Sequence, residues 1–328
     1  MHLTISEAEH LVVSILLRSK VSEDNARCVA KALVAAEAAG QGGHGLRRVP
    51  TYAAQAITGK VDGFATPVVT KTAEAALRID AAFGFAYPAL DLAVAELAPL
   101  AAKTGIALAA IHRSHHAGVI GLTVERFAEQ GLVALMVANT PAAMAPWGGR
   151  TALFGTNPIA FAAPLPDDDP IVIDLAMSKV ARGKVVAAKQ KGVAIPPDWA
   201  LDTGGHPTTD ATKAVEGTMM PFGEAKGAAL ALMVEILAAG ITGAHYAFEA
   251  SSLLDDKGAP PALGQTIIVI DPKASGGADV LPRIALLAEM IGSDPGARLP
   301  GKRGATQRRL ALANGVELED DILHLLGV

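Results

Sequence analysis

Gly40-Gln41-Gly42-Gly43-His44-Gly45 matches G-x-G-x-x-G letter for letter. That spelling marks a dinucleotide loop only where a strand ends and a helix begins, because there the glycines let the backbone approach a pyrophosphate at a helix N-terminus. The run before it, Asn25 to Ala39, is instead rich in alanine, with apolar residues on a helical period. It reads as helix, and Gly40 as the glycine that ends it. His44, Arg47 and Arg48 then stand in a loop, one titratable group with two cations. The expectation is a substrate and proton-transfer loop, not a phosphate loop.

Outward from this loop, Ser6 with Glu9 spells a capping box and predicts a helix to about Arg18, and Ser22 caps the helix that ends at Gly40. A short helix follows from Pro50 to about Thr58, then a strand pair at 68–72 and 76–80, then a helix over 88–104. Buried strands at 106–111 and 131–139 flank a helix at 119–130. Further strands fall at 158–164, 171–174 and 265–271, a long Gly-, Pro- and Asp-rich loop at 192–212, and helices at 223–239, 281–291 and 308–314. Strands joined by tight non-helical links, as between 158 and 173, argue for a mixed sheet and against a regular βαβ series. Helices gather at both ends and strands in the middle, so a helical part made from both termini is expected around a central α/β part.

Composition narrows the function classes. In 328 residues, 51% are hydrophobic and 19% charged, which supplies an ample core. The net charge of -5 and the lack of a basic stretch argue against nucleic acid. No apolar run reaches membrane-spanning length, and the N-terminal residues lack the pattern of a signal peptide. Cys28 has no second cysteine to pair with, which suits a reducing compartment. A soluble cytoplasmic protein is expected.

Several constellations carry chemistry. Ser114-His115-His116-Ala117-Gly118-Val119-Ile120-Gly121 follows a buried strand and opens a helix, where backbone N–H groups and the helix dipole face a ligand. With His112 the spacing is H-x-x-H-H, but no carboxylate or cysteine lies nearby, so no metal is assigned. A purely structural histidine pair is the alternative. Asn139-Thr140-Pro141 ends a strand with polar groups and reads either as a ligand contact or as an ordinary Asx turn. Trp147-Gly148-Gly149-Arg150 and Phe154-Gly155-Thr156-Asn157-Pro158 form a glycine-punctuated loop pair, in which Arg150 and Thr156 suit anions, with plain turn chemistry as the alternative. Asp174 suits ribose hydroxyls or a nicotinamide amide. Lys226 opens a helix where the dipole does not favour a cation, which hints at a bound anion, with an ordinary solvated lysine as the alternative. Arg298, Lys302 and Arg303 make a small basic loop. G-x-S-x-G and G-x-x-x-x-G-K-[ST] are both missing, which disfavours a serine hydrolase and a P-loop enzyme.

Taken together, the motifs resemble the type 2 malate/L-lactate dehydrogenase family, which includes sulfolactate and ureidoglycolate dehydrogenases and reductases of piperideine- and pyrroline-2-carboxylate. The resemblance rests on Gly43-His44-Gly45 with Arg48, Ser114-His115-His116-Ala117-Gly118, Ala145-Pro146-Trp147-Gly148-Gly149, and Phe154-Gly155-Thr156-Asn157-Pro158. It continues in Asp174-Leu175-Ala176-Met177-Ser178, Arg182-Gly183-Lys184, Pro207-Thr208-Thr209, Lys226-Gly227 and Arg298-Leu299-Pro300-Gly301. These occur in the family's order and cover nearly the whole chain.

The resemblance implies an oxidoreductase that uses NAD or NADP, with a non-Rossmann mixed-sheet α/β core, working as a homodimer with sites near the subunit interface. Residues 1–65 with 285–328 would form a helical substrate and dimerisation part, and 66–284 the NAD(P)-binding part. His44 would donate or accept the proton, and Arg48 would bind the substrate carboxylate. His116 would serve proton transfer or the cofactor, and Thr156 would touch substrate. His116, Ala117, Gly118, Val119, Ile120, Asp174, Leu175, Ala176, Lys226 and Arg303 would line the dinucleotide, together with the strand-end pair Asn139 and Thr140. The substrate would be a small 2-oxo or 2-hydroxy acid of malate, lactate or sulfolactate type, or alternatively a cyclic 2-imino acid. Two positions depart from the pattern. Gly43 stands where the family has serine, and Lys184 stands where the imine-reductase branch carries an acid. Lys184 suits an extra anionic group on a 2-oxo acid.

Overall fold

In the computed structural model, which describes residues 2–318 and 320–327, a helix leads into the glycine run. Helices α1 (Ile5–Leu17) and α2 (Glu23–Ala38) pack on one another. The Ser22 hydroxyl caps α2 by accepting from the Asn25 N–H. At the other end Gly40 takes a left-handed φ of 73°. Its N–H donates to the Glu37 carbonyl at 2.9 Å, and the Gln41 N–H donates to the Ala36 carbonyl at 2.9 Å. These two bonds are a Schellman motif, so the glycine run closes one helix and does not open another behind a strand. The cap of α1 lies two residues earlier than Ser6: Thr4 is the N-cap and Glu7 completes the box. Both positions fit the S/T-x-x-E spelling, but the earlier start buries Leu3 and Ala8, the pair that staples a helix entry.

The remaining helices are α3 (Val49–Thr58), α4 (Ala86–Thr104), α5 (Ile120–Ala128), α6 (Arg182–Lys191), α7 (Ala211–Glu216) and α8 (Ala225–Glu235), then α9 (Pro272–Gly276), α10 (Val280–Ser293), α11 (Lys302–Asn314) and α12 (Asp320–Leu326). The sequence pattern did not announce α6. It opens on two cations, against the dipole, and buries only Val185 and Ala188. Nor is 192–212 loop throughout. Ala200–Leu201 pairs antiparallel with Thr218–Met219, and Asp210 caps α7 within it.

Seven strands form the central sheet: β1 (Val68–Ala73), β2 (Ala76–Asp80), β3 (Ile106–Ser114), β4 (Val133–Ala138), β5 (Ile159–Leu165), β6 (Asp168–Leu175) and β7 (Leu263–Ile270). Their order is β1-β2-β3-β7-β4-β5-β6. Only β2 and β3 run parallel, joined by the α4 crossover, and every other neighbouring pair is antiparallel. The registers place one functional edge. Ser114 at the end of β3 faces Leu263, Ala138 at the end of β4 faces Gln265, and Ile159 at the start of β5 faces Leu175 at the end of β6. His115-His116, Asn139-Thr140, Thr156-Asn157 and Asp174-Leu175-Ala176 therefore emerge along the same rim of the sheet.

One continuous apolar core joins the terminal helices to this sheet, from Val12, Val29 and Tyr52 through Ile111 and Met136 to Ala311 and Leu326. A smaller cluster around Met144, Met177, Ile195 and Met219 lies under the loops. Among the described residues no helix is long and apolar enough to cross a membrane.

Lys60, just past α3, anchors that helix. Its ammonium is buried and donates to the carbonyls of Ser252 (2.6 Å), Lys257 (2.6 Å) and Asp255 (3.1 Å), and to Asp255 Oδ1 at 3.2 Å. Lys60→Met would strand those carbonyls and is expected to cost about 3–5 kcal/mol. Urea unfolding checks this, and an unchanged midpoint would contradict it.

Candidate active site

The loop that carries His44 is seated on Glu37 of α2. The Glu37 carboxylate accepts the Leu46 N–H at 2.8 Å. A Cβ on Gly42 would lie 2.9 Å from Glu37 Oε1, and one on Gly45 would collide with Glu37 Oε2. Gly45 is the stricter of the two, because a Cβ there would also meet the Glu37 backbone N at 3.0 Å, whereas one on Gly42 would meet only the carboxylate. Gly43 differs, since a Cβ there meets nothing within 4 Å. Gly43→Ser is thus expected to leave stability within about 0.5 kcal/mol of the parent, whereas Gly45→Ala should lower it clearly. Paired thermal melts decide this, and equal loss in both variants would refute the account.

The turns Gly42–His44 and Leu46–Arg48 swing His44 and Arg48 toward the strand ends. The His44 and His116 rings stack with centroids 5.2 Å apart and planes 20° apart. Arg48 precedes α3, and its Nε–H donates to the Gly43 carbonyl at 2.9 Å, so the loop orients the guanidinium. The remaining guanidinium N–H groups form the fork that matches a carboxylate.

Burial, helped by the Arg48 charge, pushes His44 down to about 4. His116 is held well below the ordinary histidine range by burial, then by Arg48, His44 and His115. Burial pushes His115 down to about 3, with smaller contributions from Lys60 and Arg48. All three rings are therefore neutral at neutral pH. His115 is packed edge-on against Tyr52 and Phe85, at centroid distances of 5.3 and 5.8 Å. Of the adjacent histidines, His116 meets His44 and His115 belongs to the aromatic core. Among the described residues no three His, Cys, Asp or Glu side chains converge as a metal site.

At the ends of β4 and β5, Thr140 Oγ1 accepts the Thr156 N–H at 2.8 Å and lies 3.3 Å from Thr156 Oγ1. The neighbouring asparagines turn inward. Asn139 donates to Glu235 Oε1 (3.2 Å) and to the His245 carbonyl (2.8 Å), and accepts from the Gly264 N–H at 3.0 Å. Asn157 donates to Glu235 Oε2 at 2.7 Å and to the Ala231 carbonyl at 3.0 Å. Glu235 also accepts the Ala247 N–H at 2.7 Å. Its carboxyl is raised by burial against these hydrogen bonds. One buried acid on α8 thus ties down both residues flanking the threonine pair. Its sequence signal was a lone carboxylate in an alanine-rich helix.

The stretches expected to line a dinucleotide meet one another. Asp174 Oδ2 accepts the N–H of Gly121, in the first turn of α5, at 2.8 Å. Burial, opposed by this bond, raises the Asp174 carboxyl to about 6. The Met177 N–H donates to the Thr156 carbonyl at 2.7 Å, and the Phe222 N–H to the Met177 carbonyl at 2.9 Å. That brings the start of α8 and exposed Lys226 alongside. Gly301, at φ 90°, packs on Val172, which places Arg303 in the opening turn of α11 beside β6. Lys184 is exposed in the first turn of α6, while Arg182 donates to the Ala142 carbonyl at 3.3 Å.

Such a rim, with a His–His–Arg group beside loops suited to a nucleotide, defines an oxidoreductase-like site. Residues 3–326 match the family model described as malate/L-lactate dehydrogenase, and the chain belongs to that family. It is 48% identical over 307 residues to the (2R)-3-sulfolactate dehydrogenase (NADP(+)) of Chromohalobacter salexigens, covering 94% of this chain and 92% of that protein. It is 42% identical over 324 residues to a Δ1-pyrroline-2-carboxylate/Δ1-piperideine-2-carboxylate reductase of Pseudomonas putida, covering 97% and 94%. Its fold superposes on the crystal structure of Δ1-piperideine-2-carboxylate reductase from Pseudomonas syringae pv. tomato with a TM-score of 0.94 at 37% identity, covering 99% of this chain and 98% of that one.

Proposed function

We propose that the protein is an NAD(P)-dependent oxidoreductase that interconverts a small 2-oxo acid and its 2-hydroxy acid, of sulfolactate, malate or lactate type. The observation that carries this reading is the stacked His44–His116 pair beside Arg48. Arg48 clamps the substrate carboxylate, and this fixes C2 next to His44. The incoming carboxylate offsets the Arg48 charge, the lesser of the two causes that depress His44, so binding raises the affinity of the imidazole for a proton. In reduction His44 gives that proton to the oxygen on C2, and in oxidation neutral His44 takes it back. Thr156, held by Thr140, faces the substrate, and exposed Lys184 suits a second anionic group on it.

The residues fit a dinucleotide. Lys226 and Arg303 are exposed cations at the starts of α8 and α11, matched to phosphate charge, while Asp174 already takes the Gly121 N–H in the first turn of α5. His116 to Ile120, Thr140, Asp174 to Ala176, Lys226 and Arg303 would hold it, outside any Rossmann arrangement, with Asn139 turned inward to support Thr140 from behind. When bound, the nicotinamide supplies or accepts the hydride at C2. Two further parts belong to the reading: the division of the chain at 65/66 and 284/285, and action as a cytoplasmic homodimer.

Reduction of a cyclic 2-imino acid is the second reading, favoured by the 42% identity to the Pseudomonas putida reductase. Oxidation of NADH and NADPH with sulfopyruvate, oxaloacetate, pyruvate and piperideine-2-carboxylate separates the two. Highest kcat/KM on the imine would overturn the first reading, and no oxidation of either cofactor with any of them would overturn both.

A further inference from the structure

At the Nδ1 edge of the His116 ring, whose face stacks on His44, two tyrosines form a hydrogen-bonded line. Tyr52 Oη lies 2.7 Å from His116 Nδ1, and Tyr87 Oη lies 3.3 Å from Tyr52 Oη. Tyr52 is completely buried, and Tyr87 and His116 are nearly so. Tyr52 stands four residues after Arg48 in the first turn of α3, so one helix face carries the guanidinium and this phenol. Tyr87 comes from the first turn of α4. Its hydroxyl lies against Gly118, where a Cβ would be only 2.6 Å from it.

We propose that Tyr52 and Tyr87 are positioning residues that hold His116 as the neutral tautomer with its proton on Nε2, turning an N–H donor toward the substrate and cofactor. The distance favours Tyr52 as the donor. A separation of 2.7 Å is ordinary for O–H as donor and short for N–H as donor. Tyr52 therefore donates to Nδ1, and Tyr87 donates to the Tyr52 oxygen, which leaves Nε2 to carry the ring proton. Burial raises both phenols, so neither loses the proton on which the line depends. His115 cannot take over this role, because its ring packs edge-on against Tyr52 and Phe85. The Gly118 contact adds a steric link, since Tyr87 touches the backbone of the strip assigned to the dinucleotide. The line thus registers His116 against the cofactor strip on one side and against Arg48, through α3, on the other.

This inference rests on His116 belonging to the site, and its test separates the two claims. The full-length enzyme is labelled with 15N-histidine, and the His116 signals are identified by their loss in His116→Gln. Long-range proton–nitrogen spectra then report the tautomer without any turnover. The wild type is expected to show Nε2 protonated and Nδ1 bare, and Tyr52→Phe a mixture of tautomers. Tyr52→Phe should also lower kcat by about threefold to tenfold, the worth of one hydrogen bond, with little change in KM. Tyr87→Phe, which keeps the direct partner, should retain the Nε2 tautomer with a smaller loss. Protonated Nδ1 in the wild type, or an unchanged tautomer in Tyr52→Phe, would overturn the proposal. If Tyr52→Phe does not fold, the wild-type spectrum alone decides. A correct tautomer together with full turnover in His116→Gln would instead overturn the placement of His116 in the site.

Discussion

His44→Ala should lower kcat by about 10²–10⁴-fold, the usual loss when a general acid–base group is removed. Dinucleotide affinity should stay close to wild type, because the stretches assigned to the cofactor emerge from the sheet rim and His44 comes from the loop on α2. The pH profile makes the assignment sharper. His44 is pushed down to about 4 by burial and Arg48, so in the free enzyme it is neutral over the whole physiological range. Oxidation of the hydroxy acid needs the neutral ring, and its kcat/KM should be flat from neutral pH to about 5 and fall below about 4. Reduction needs the protonated ring, so its kcat/KM should climb by up to about tenfold per unit as pH falls toward that value. The groups facing His44 are His116 and Arg48, and His116 is itself held well below the ordinary histidine range by burial. Steady-state rates in both directions, with cofactor binding followed by fluorescence, check these outcomes. Near-normal turnover in His44→Ala, or an acid limb that persists in it, would sink the role.

Much of this site was legible because its parts are local. A helix before Gly40 could be read from alanine content and period, and that alone moved His44 and Arg48 from a nucleotide loop to a turn at a helix end. Strand ends were equally plain, since apolar runs stop at polar residues such as Asn139-Thr140 and Asp174. What pattern could not supply was the pairing of distant residues. Glu37 under the glycines, Glu235 between Asn139 and Asn157, and Tyr52 at the edge of His116 all lie on helices that read as packing surface. Nothing in a helical period tells a carboxylate that seats a loop from one in solvent. The inward turn of Asn139 and the α5-capping bond of Asp174 show the same limit, because a polar strand-end residue can face a ligand or its own backbone. Helix α6 escaped for another reason: its cations read as ligands, and two buried residues give no stripe.

Arg48→Met should reduce kcat/KM for the 2-oxo acid by about 10²–10³-fold, the loss of two charge-assisted hydrogen bonds to a carboxylate. Part of the loss would enter through KM and part through misplacement of C2 relative to His44. Arg48→Lys keeps the charge but not the fork, and should retain weak binding with poor orientation. The two variants also separate charge from geometry at His44. Arg48 is the second cause of the depressed imidazole, after burial. Removing its charge must therefore raise the His44 pKa, though burial still holds it below the ordinary value of about 6.5. The acid limb of hydroxy-acid oxidation should accordingly move to higher pH in Arg48→Met and stay near its original position in Arg48→Lys. A limb that does not move in Arg48→Met would mean that the guanidinium and the imidazole do not sense each other, and the proton could not then be coupled to carboxylate binding.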